Sequence, residues 1–376
     1  MNLIKSLIII FSIAISTVAS AQEDETGKTA DNAGGKQQNE PSLQVFSKFD
    51  FVPGEKVLFF DDFSGENIGD FPGRWNTNGS GEVVTLGGMP GKWLKMKTGG
   101  TFYPETGKGF PENFTFEFDL VASFETEPGC IDIGMYKSTP DEAMDGLVPG
   151  EGGGTCRLEG HSISIFNWKE GNYAGIENST DNNYYFEHNN NKIRISVSVQ
   201  KQRMRLYVDA VKIYDVPRFF PEGILIDRVR FALGSCEMEG YQPFISNFRI
   251  AAGAPDMRNK LMTEGKLVTR GITFDSGSDN IKAESYGTLK EIAGVLKDNP
   301  AIRIKITGHT DSDGDESSNL ALSKKRAAAV KTALAGQFGI DAARMETDGK
   351  GESQPVSPNT TPEGKANNRR VEFIKL

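Results

Sequence analysis

Phe114, Phe116, Phe118 and Leu120 alternate with Thr115, Glu117 and Asp119. A period of two turns one side of a strand toward a core and the other toward water. Ile193, Ile195, Val197 and Val199 repeat the pattern against Arg194, Ser196 and Ser198. Met204, Leu206 and Val208 continue it, Asp209-Ala210 reads as a turn, and Val211 and Ile213 return. Further short strands are expected at 56–60, 83–86, 93–97, 162–166, 228–233 and 244–250, with Gly-, Pro- and Asn-rich insertions at 137–160 and 171–191. Many short strands with turn signals between them predict an all-β two-sheet sandwich over residues 46–250. A transmembrane barrel is the competing architecture. Its strands would need about ten residues each with an apolar outward face, and most strands here are shorter.

After a connector at 251–261 the pattern changes. Ile281, Tyr286, Leu289, Ile292, Ala293 and Leu296 recur at helical spacing, and Pro300 follows the end. Ile302, Ile304 and Ile306 alternate as a strand. A second helix is expected from about Ser317 to Ala335, stopped by Gly336, and Val371 to Ile374 is the last strand. Residues 262–376 therefore read as an α+β or split βαβ domain.

The first residues change where the chain is expected to work. Lys5, an apolar run at 7–18 and the small residues Ala19-Ser20-Ala21 read as a secretory signal, residues 1–21, cut before Gln22. An uncleaved anchor is the alternative, but the run is short for a membrane span. No cysteine sits at that site, so a lipid anchor there is not expected, and no other long apolar run predicts a transmembrane helix. Residues 22–45 are polar and predict a flexible tether. Export to the periplasm or outer membrane follows.

Net charge is −9 over 376 residues. Residues 261–376 are nearly neutral, with 17 basic against 16 acidic residues, so the acidity lies upstream. That balance argues against nucleic acid as a partner. Of Cys130, Cys156 and Cys236, at most two can pair with each other. Cys130 with Cys156 is the pair to test first, since both fall in Gly-rich loops. The spacing is unlike a zinc site, and no cofactor is expected.

The densest chemistry runs from Ile306 to Leu334, ITGHTDSDGDESSNLALSKKRAAAVKTAL. It reads as a strand, an acidic loop and an alanine-rich helix. Asp311 lies in the loop, and Asn319, Ser323 and Arg326 share a helix face. Arginine offers a planar fork that matches a carboxylate, and a carboxylate can take an ammonium. Asp311, Asn319 and Arg326 together suit a small zwitterion, and nothing there looks like a nucleophile with its base. A loop-to-helix ion pair between Asp311 and Arg326 is the purely architectural alternative. Asp311 to Asp315 hints at a calcium loop, but residue 322 is Leu where an EF-hand needs its bidentate glutamate. His309 beside the site is expected to pack, not to catalyse.

This segment resembles the OmpA-like peptidoglycan-binding domain. The likeness continues through Gly339, Arg344, Gly349, Gly351-Glu352, Pro355, Asn359-Thr360, Gly364 and Asn368-Arg369-Arg370-Val371-Glu372. Upstream, Ile272-Thr273-Phe274-Asp275 with Asn280-Ile281 resembles the family's first strand and turn, with Gly277 where relatives often carry a polar residue. The resemblance spans about residues 262–376. It implies a structural cell-envelope protein and a diaminopimelate-type ligand from the peptidoglycan stem peptide. It also implies contacts from Asp311, Asn319, Arg326 and Arg369, with Arg370 structural. Asp61-Asp62-Phe63-Ser64-Gly65, Trp75 and the run 192–216 resemble concanavalin-like jelly-roll domains, implying a glycan or envelope-protein partner. A glycan-degrading enzyme could draw on Glu117 and Asp119 as paired carboxylates, and a lectin on Trp75, Trp93 and Trp168, although core packing is the plainer role for each tryptophan.

Overall fold

The computed structural model describes residues 49–107, 109–140, 146–234, 238–253 and 256–376. The expected signal peptide and tether lie outside them. In chain order, the first strands are β1 (Lys56–Asp61), β2 (Trp75–Thr77), β3 (Gly81–Val84), β4 (Trp93–Met96) and β5 (Thr101–Pro104). Next come β6 (Asn113–Ser123), β7 (Ile131–Lys137), β8 (Gly152–Glu159), β9 (Ser162–Lys169) and β10 (Asn172–Asp181). A short helix, α1 (Tyr184–Glu187), leads to β11 (Lys192–Gln200), β12 (Arg203–Val208), β13 (Val211–Val216), β14 (Arg228–Ala232) and β15 (Gln242–Ala252). The rest alternates: α2 (Met257–Met262), β16 (Lys266–Thr269), α3 (Tyr286–Asp298), β17 (Ile304–His309), α4 (Glu316–Phe338), β18 (Met345–Gly349), α5 (Pro362–Asn368) and β19 (Arg370–Lys375).

The N-terminal region is largely β-sheet. One sheet runs β13-β12-β11-β6-β15-β4-β3, with β1 also paired to β15, and the other runs β10-β9-β8-β7-β14-β5-β2. Among the described residues neither sheet closes on itself. Their apolar faces meet in a shared core: the rings of Phe118 on β6 and Phe231 on β14 are 4.9 Å apart, edge to face. That is the opposite of a barrel with its apolar band turned outward to lipid. Also among the described residues, no helix is long and apolar enough to cross a membrane.

Two stretches expected as insertions hold the strands β8 and β10. Glycines hid β8. A Cβ on Gly154 would collide with the Phe219 ring, and one on Gly153 with the Met135 carbonyl. Glycine in a strand thus marks close approach as well as a break. On β10 most residues are exposed, so little apolar rhythm exists to read.

The C-terminal sheet runs β16-β19-β17-β18, with β17 and β18 parallel and its other pairs antiparallel. Helices α3 and α4 pack on it through Leu289, Ile292, Leu296, Val330 and Leu334. The expected stop at Gly336 is corrected: α4 continues to Phe338, and Gly339, at φ 68°, caps it. Burial of Phe338 continues the helix past Gly336, where glycine costs about 1 kcal/mol. Part of the expected connector is structured, since α2 buries Met257 and Leu261 in this second core. The expected first strand at 272–275 is only an isolated bridge, Phe274 to Ile281.

The described residues form one compact unit. The polar face of β6, β11 and β15 is covered, not wet. Glu117 and Asp119 are 4% exposed each. Arg249 donates to Glu117 at 2.8 Å, and Arg194 donates to Asp119 at 2.9 Å and lies 3.3 Å from Glu117. Buried like this, each acid is locked to arginine and cannot serve as an open catalytic pair. Residues 49–55 run across this face, where Tyr207 donates to Asp50 and the backbone N–H of Gly54 to Thr115. Phe51 abuts Gly287 of α3, where a Cβ would strike the Phe51 carbonyl.

Trp75, Trp93 and Trp168 are 4%, 2% and 0% exposed, so none is a stacking platform. Trp75 donates its indole N–H to Asp61 at 3.1 Å. Cys130 is disulfide-bonded and Cys156 is free. The Cys130–Cys156 pairing expected from the loops is thereby corrected. Cys156 is buried in the core on β8, where its cross-strand partner on β7 is Ile133 and not Cys130.

Candidate functional site

Strand β17 ends at His309, and the chain turns through an acidic loop into α4. Each acid of that loop has its own place. Asp315 caps the helix, accepting from the backbone N–H of Ser318 at 2.9 Å and the Ser317 hydroxyl at 2.7 Å. These bonds hold its carboxyl well below the usual range. Asp313 pairs with Lys365 of α5 at 2.7 Å. Asp311 is buried, accepts the backbone N–H of Asp313 at 3.2 Å, and pairs with Arg369 at 2.5 Å. Among the described residues no His, Cys, Asp or Glu cluster could hold a metal ion.

Arg369 is the residue that ends α5, and its side chain is 37% exposed. It is the partner of Asp311. Arg326 does not hydrogen-bond Asp311, so the architectural ion pair weighed from the sequence does not form. Instead Arg326 donates from Nε to the Ser278 carbonyl at 2.9 Å and from a terminal nitrogen to the Asp275 carbonyl at 3.4 Å. Its guanidinium lies 4.9 Å from the Phe274 ring centroid. Burial lowers its pKa, Asp311 opposes that and Arg369 adds to it, so the three groups feel one another's charge. Gly277, at φ 65°, shapes the turn that presents both carbonyls.

Asn319, expected to contact ligand, braces the acidic loop in this structure. It is 6% exposed, and its amide nitrogen donates to the Asp313 carbonyl at 3.0 Å and to Glu352 at 2.5 Å. It fastens the loop that carries Asp311. Ser323, on the same helix face, accepts the Gly351 N–H at 2.9 Å. Arg370 is buried and bonds Glu372 and the Gln354 carbonyl. His309 is buried at 3% exposure, 3.6 Å from Glu372, too far for a hydrogen bond.

The sequence reading did not single out Phe274, Ser278 or Glu352 as parts of the site. Phe274 and Glu352 belong to the motifs at 272–275 and 351–352, but their contacts with Arg326 and Asn319 come from segments 52 and 33 residues away. Phe60 and Glu363 also went unseen. Arg369 lies 5.2 Å from the Phe60 ring centroid. Glu363 accepts the Phe60 backbone N–H at 3.0 Å and pairs with Arg74.

A buried loop carboxylate, two partly exposed guanidiniums and a helix-braced turn thus lie together at the strand-helix junction. Residues 273–369 match the OmpA family model. Over 128 residues the chain is 41% identical to the probable lipoprotein YiaD of Escherichia coli, covering 31% of this chain and 58% of that protein. Over 101 residues it is 41% identical to outer membrane porin F of Pseudomonas aeruginosa, covering 27% of this chain and 29% of that protein. The crystal structure of the peptidoglycan-associated lipoprotein from Burkholderia pseudomallei covers 32% of this chain and 98% of that one, at 31% identity and a TM-score of 0.27. The chain thus spans less than two thirds of either curated relative.

Proposed function

We propose that this chain is a structural protein of the bacterial envelope that holds peptidoglycan non-covalently. The ligand group is the diaminopimelate-type residue of the stem peptide, which carries an ammonium and a carboxylate on one carbon. Asp311 takes the ammonium, and Arg326 and Arg369 take the carboxylate. Asn319 keeps the Asp311 loop in place. The observation that carries this reading is the Asp311 carboxylate, buried yet beside the partly exposed Arg369 and Arg326. Such a charge set presents complementary partners to a zwitterion with little reorganisation. The names of relatives, an outer membrane porin and a peptidoglycan-associated lipoprotein, support the same place of work.

The reading extends to the remainder of the chain. Residues 46–250 act as a jelly-roll-like sandwich domain toward a second envelope partner, and residues 262–376 as the wall-binding domain. Two sheets over a shared core support the first assignment. The test is sedimentation of the chain with insoluble peptidoglycan, beside Asp311→Ala and Arg326→Ala. Wild type is expected in the pellet and both variants, folded by circular dichroism, in the supernatant. Equal sedimentation of all three would reduce the site to architecture.

A further inference from the structure

The polar end of the β-sheet region abuts the candidate site. Phe60 and Arg249 are directly opposed across β1 and β15, so their side chains share the covered face of that sheet. Beyond Phe60 stand Arg369, then Asp311, with Arg326 nearby. Phe60 is itself only half-buried. Its backbone is held on both sides: the N–H by Glu363 and the carbonyl by Arg74 at 3.1 Å. Arg74 in turn lies over Phe59, with its guanidinium 4.3 Å from the ring centroid. The aromatic ring is therefore fixed at the rim of the site by contacts that cross from one region to the other.

We propose that the β-sheet region supplies an outer wall of the stem-peptide site, with Phe60 packing against the peptide residue that adjoins the zwitterionic one. This rests on the peptidoglycan reading above. The physical reason is the order of groups. A zwitterion seated between Asp311 and Arg326 has Arg369 and then Phe60 on one flank. The chain it hangs from must leave the site along some flank, and this one offers an apolar ring beside a cation. An aromatic next to a guanidinium can pack a methyl group while the arginine faces a peptide carbonyl or carboxylate. An isolated wall-binding domain lacks this ring, so the β-sheet region would set which stem peptides are held best.

The experiment measures two soluble probes by titration calorimetry on the full chain. One is free meso-diaminopimelate, and the other is a disaccharide-tetrapeptide released from peptidoglycan. Phe60→Ala is expected to bind the tetrapeptide about fourfold more weakly, the loss of one buried methyl contact, and to bind free diaminopimelate as wild type does. Phe60→Leu, which keeps an apolar contact, is expected to recover most of the loss. Unchanged tetrapeptide binding by Phe60→Ala would overturn the proposal. So would equal weakening for both probes, because Phe60 would then act only by positioning Arg369. Asp311→Ala separates the two levels of argument. If it still binds both probes, the peptidoglycan reading fails. If it loses both while Phe60→Ala is silent, only the wall assignment fails.

Discussion

The side-chain amide of Asn367 pairs with both backbone groups of Val57: the Val57 N–H donates to Oδ1 at 3.1 Å, and Nδ2 donates to the Val57 carbonyl at 3.2 Å. The amide acts as a single peptide unit laid along the free edge of β1, whose other edge pairs with β15. Glu363, one helical turn earlier, takes the next inward N–H, that of Phe60. An open strand edge is a liability that proteins cover with a helix or a charge, and here α5 does both. The same helix ends at Arg369, so the junction between regions and the arginine paired to Asp311 are parts of one element.

Asn367→Leu keeps the volume and removes both bonds. It leaves two buried backbone groups without partners, at a cost of about 1–3 kcal/mol. A denaturant melt should show the midpoint falling with little change in slope. An unaltered midpoint would mean that water replaces the amide.

Arg326→Lys tests recognition separately from charge. Lysine keeps the positive charge but loses the fork and the face-on contact with Phe274. We expect the variant to fold and to bind diaminopimelate about tenfold more weakly or worse. Wild-type affinity would show that charge alone suffices.

Gly277→Ala puts a Cβ at φ 65°. The left-handed conformation costs a non-glycine residue about 1–2 kcal/mol. Thermal stability should drop by about that amount, and peptidoglycan retention should drop with it, because the turn carries the carbonyls that hold Arg326. Lost stability with full retention would uncouple the turn from the site.

Acid should loosen the covered face around Glu117. Burial alone would raise its pKa, but Arg194 and Arg249 hold it below the usual carboxylate value. A depressed folded pKa means a stabilising contribution that is complete above the unfolded value, about 4.5, and lost as pH falls through the folded one. The melting temperature, on this account, is insensitive to Glu117 from neutral pH to about 5 and declines below about 4. Glu117→Gln would flatten that decline and lower stability at neutral pH by about 3–5 kcal/mol, because two buried guanidiniums lose their acid. A parallel acid decline in both proteins would assign it to other carboxylates.

Cys156 should resist alkylation in the native protein and react after unfolding without reductant. Its thiol is fully buried and its pKa is pushed far up by burial, then by Asp132. Mass spectrometry of iodoacetamide-treated samples reads this directly, and native labelling would mean that β8 opens readily.

Strands with strict alternation were legible because one face had to be apolar, as on β6 and β11. The polar partners in that alternation misled: Glu117, Asp119, Ser196 and Ser198 look solvent-facing in sequence yet are buried. A period of two says that the faces differ and does not say what covers the polar one. β8 was hidden because its glycines answer to Phe219 and Met135, residues distant in the chain.

At the site, the residue types and their spacing were enough to bring Asp311 and Arg326 to one strand-helix junction, because strand, loop and helix are contiguous. The Asn-Arg-Arg run was marked only by the resemblance to the OmpA-like domain. The sequence by itself thus determined a strand-rich first region, an α+β second region and a charged strand-helix junction. Only the tertiary structure decided that Asp311 pairs with Arg369, that Asn319 bonds Glu352, and that Phe60 stands beside Arg369. Each of these depends on segments brought together by burial and backbone pairing over 33 to 309 residues, as Asn319 with Glu352 and Phe60 with Arg369 show. Local spacing carries no information at that range. What selects those partners is the need to satisfy every buried charge and strand edge at once.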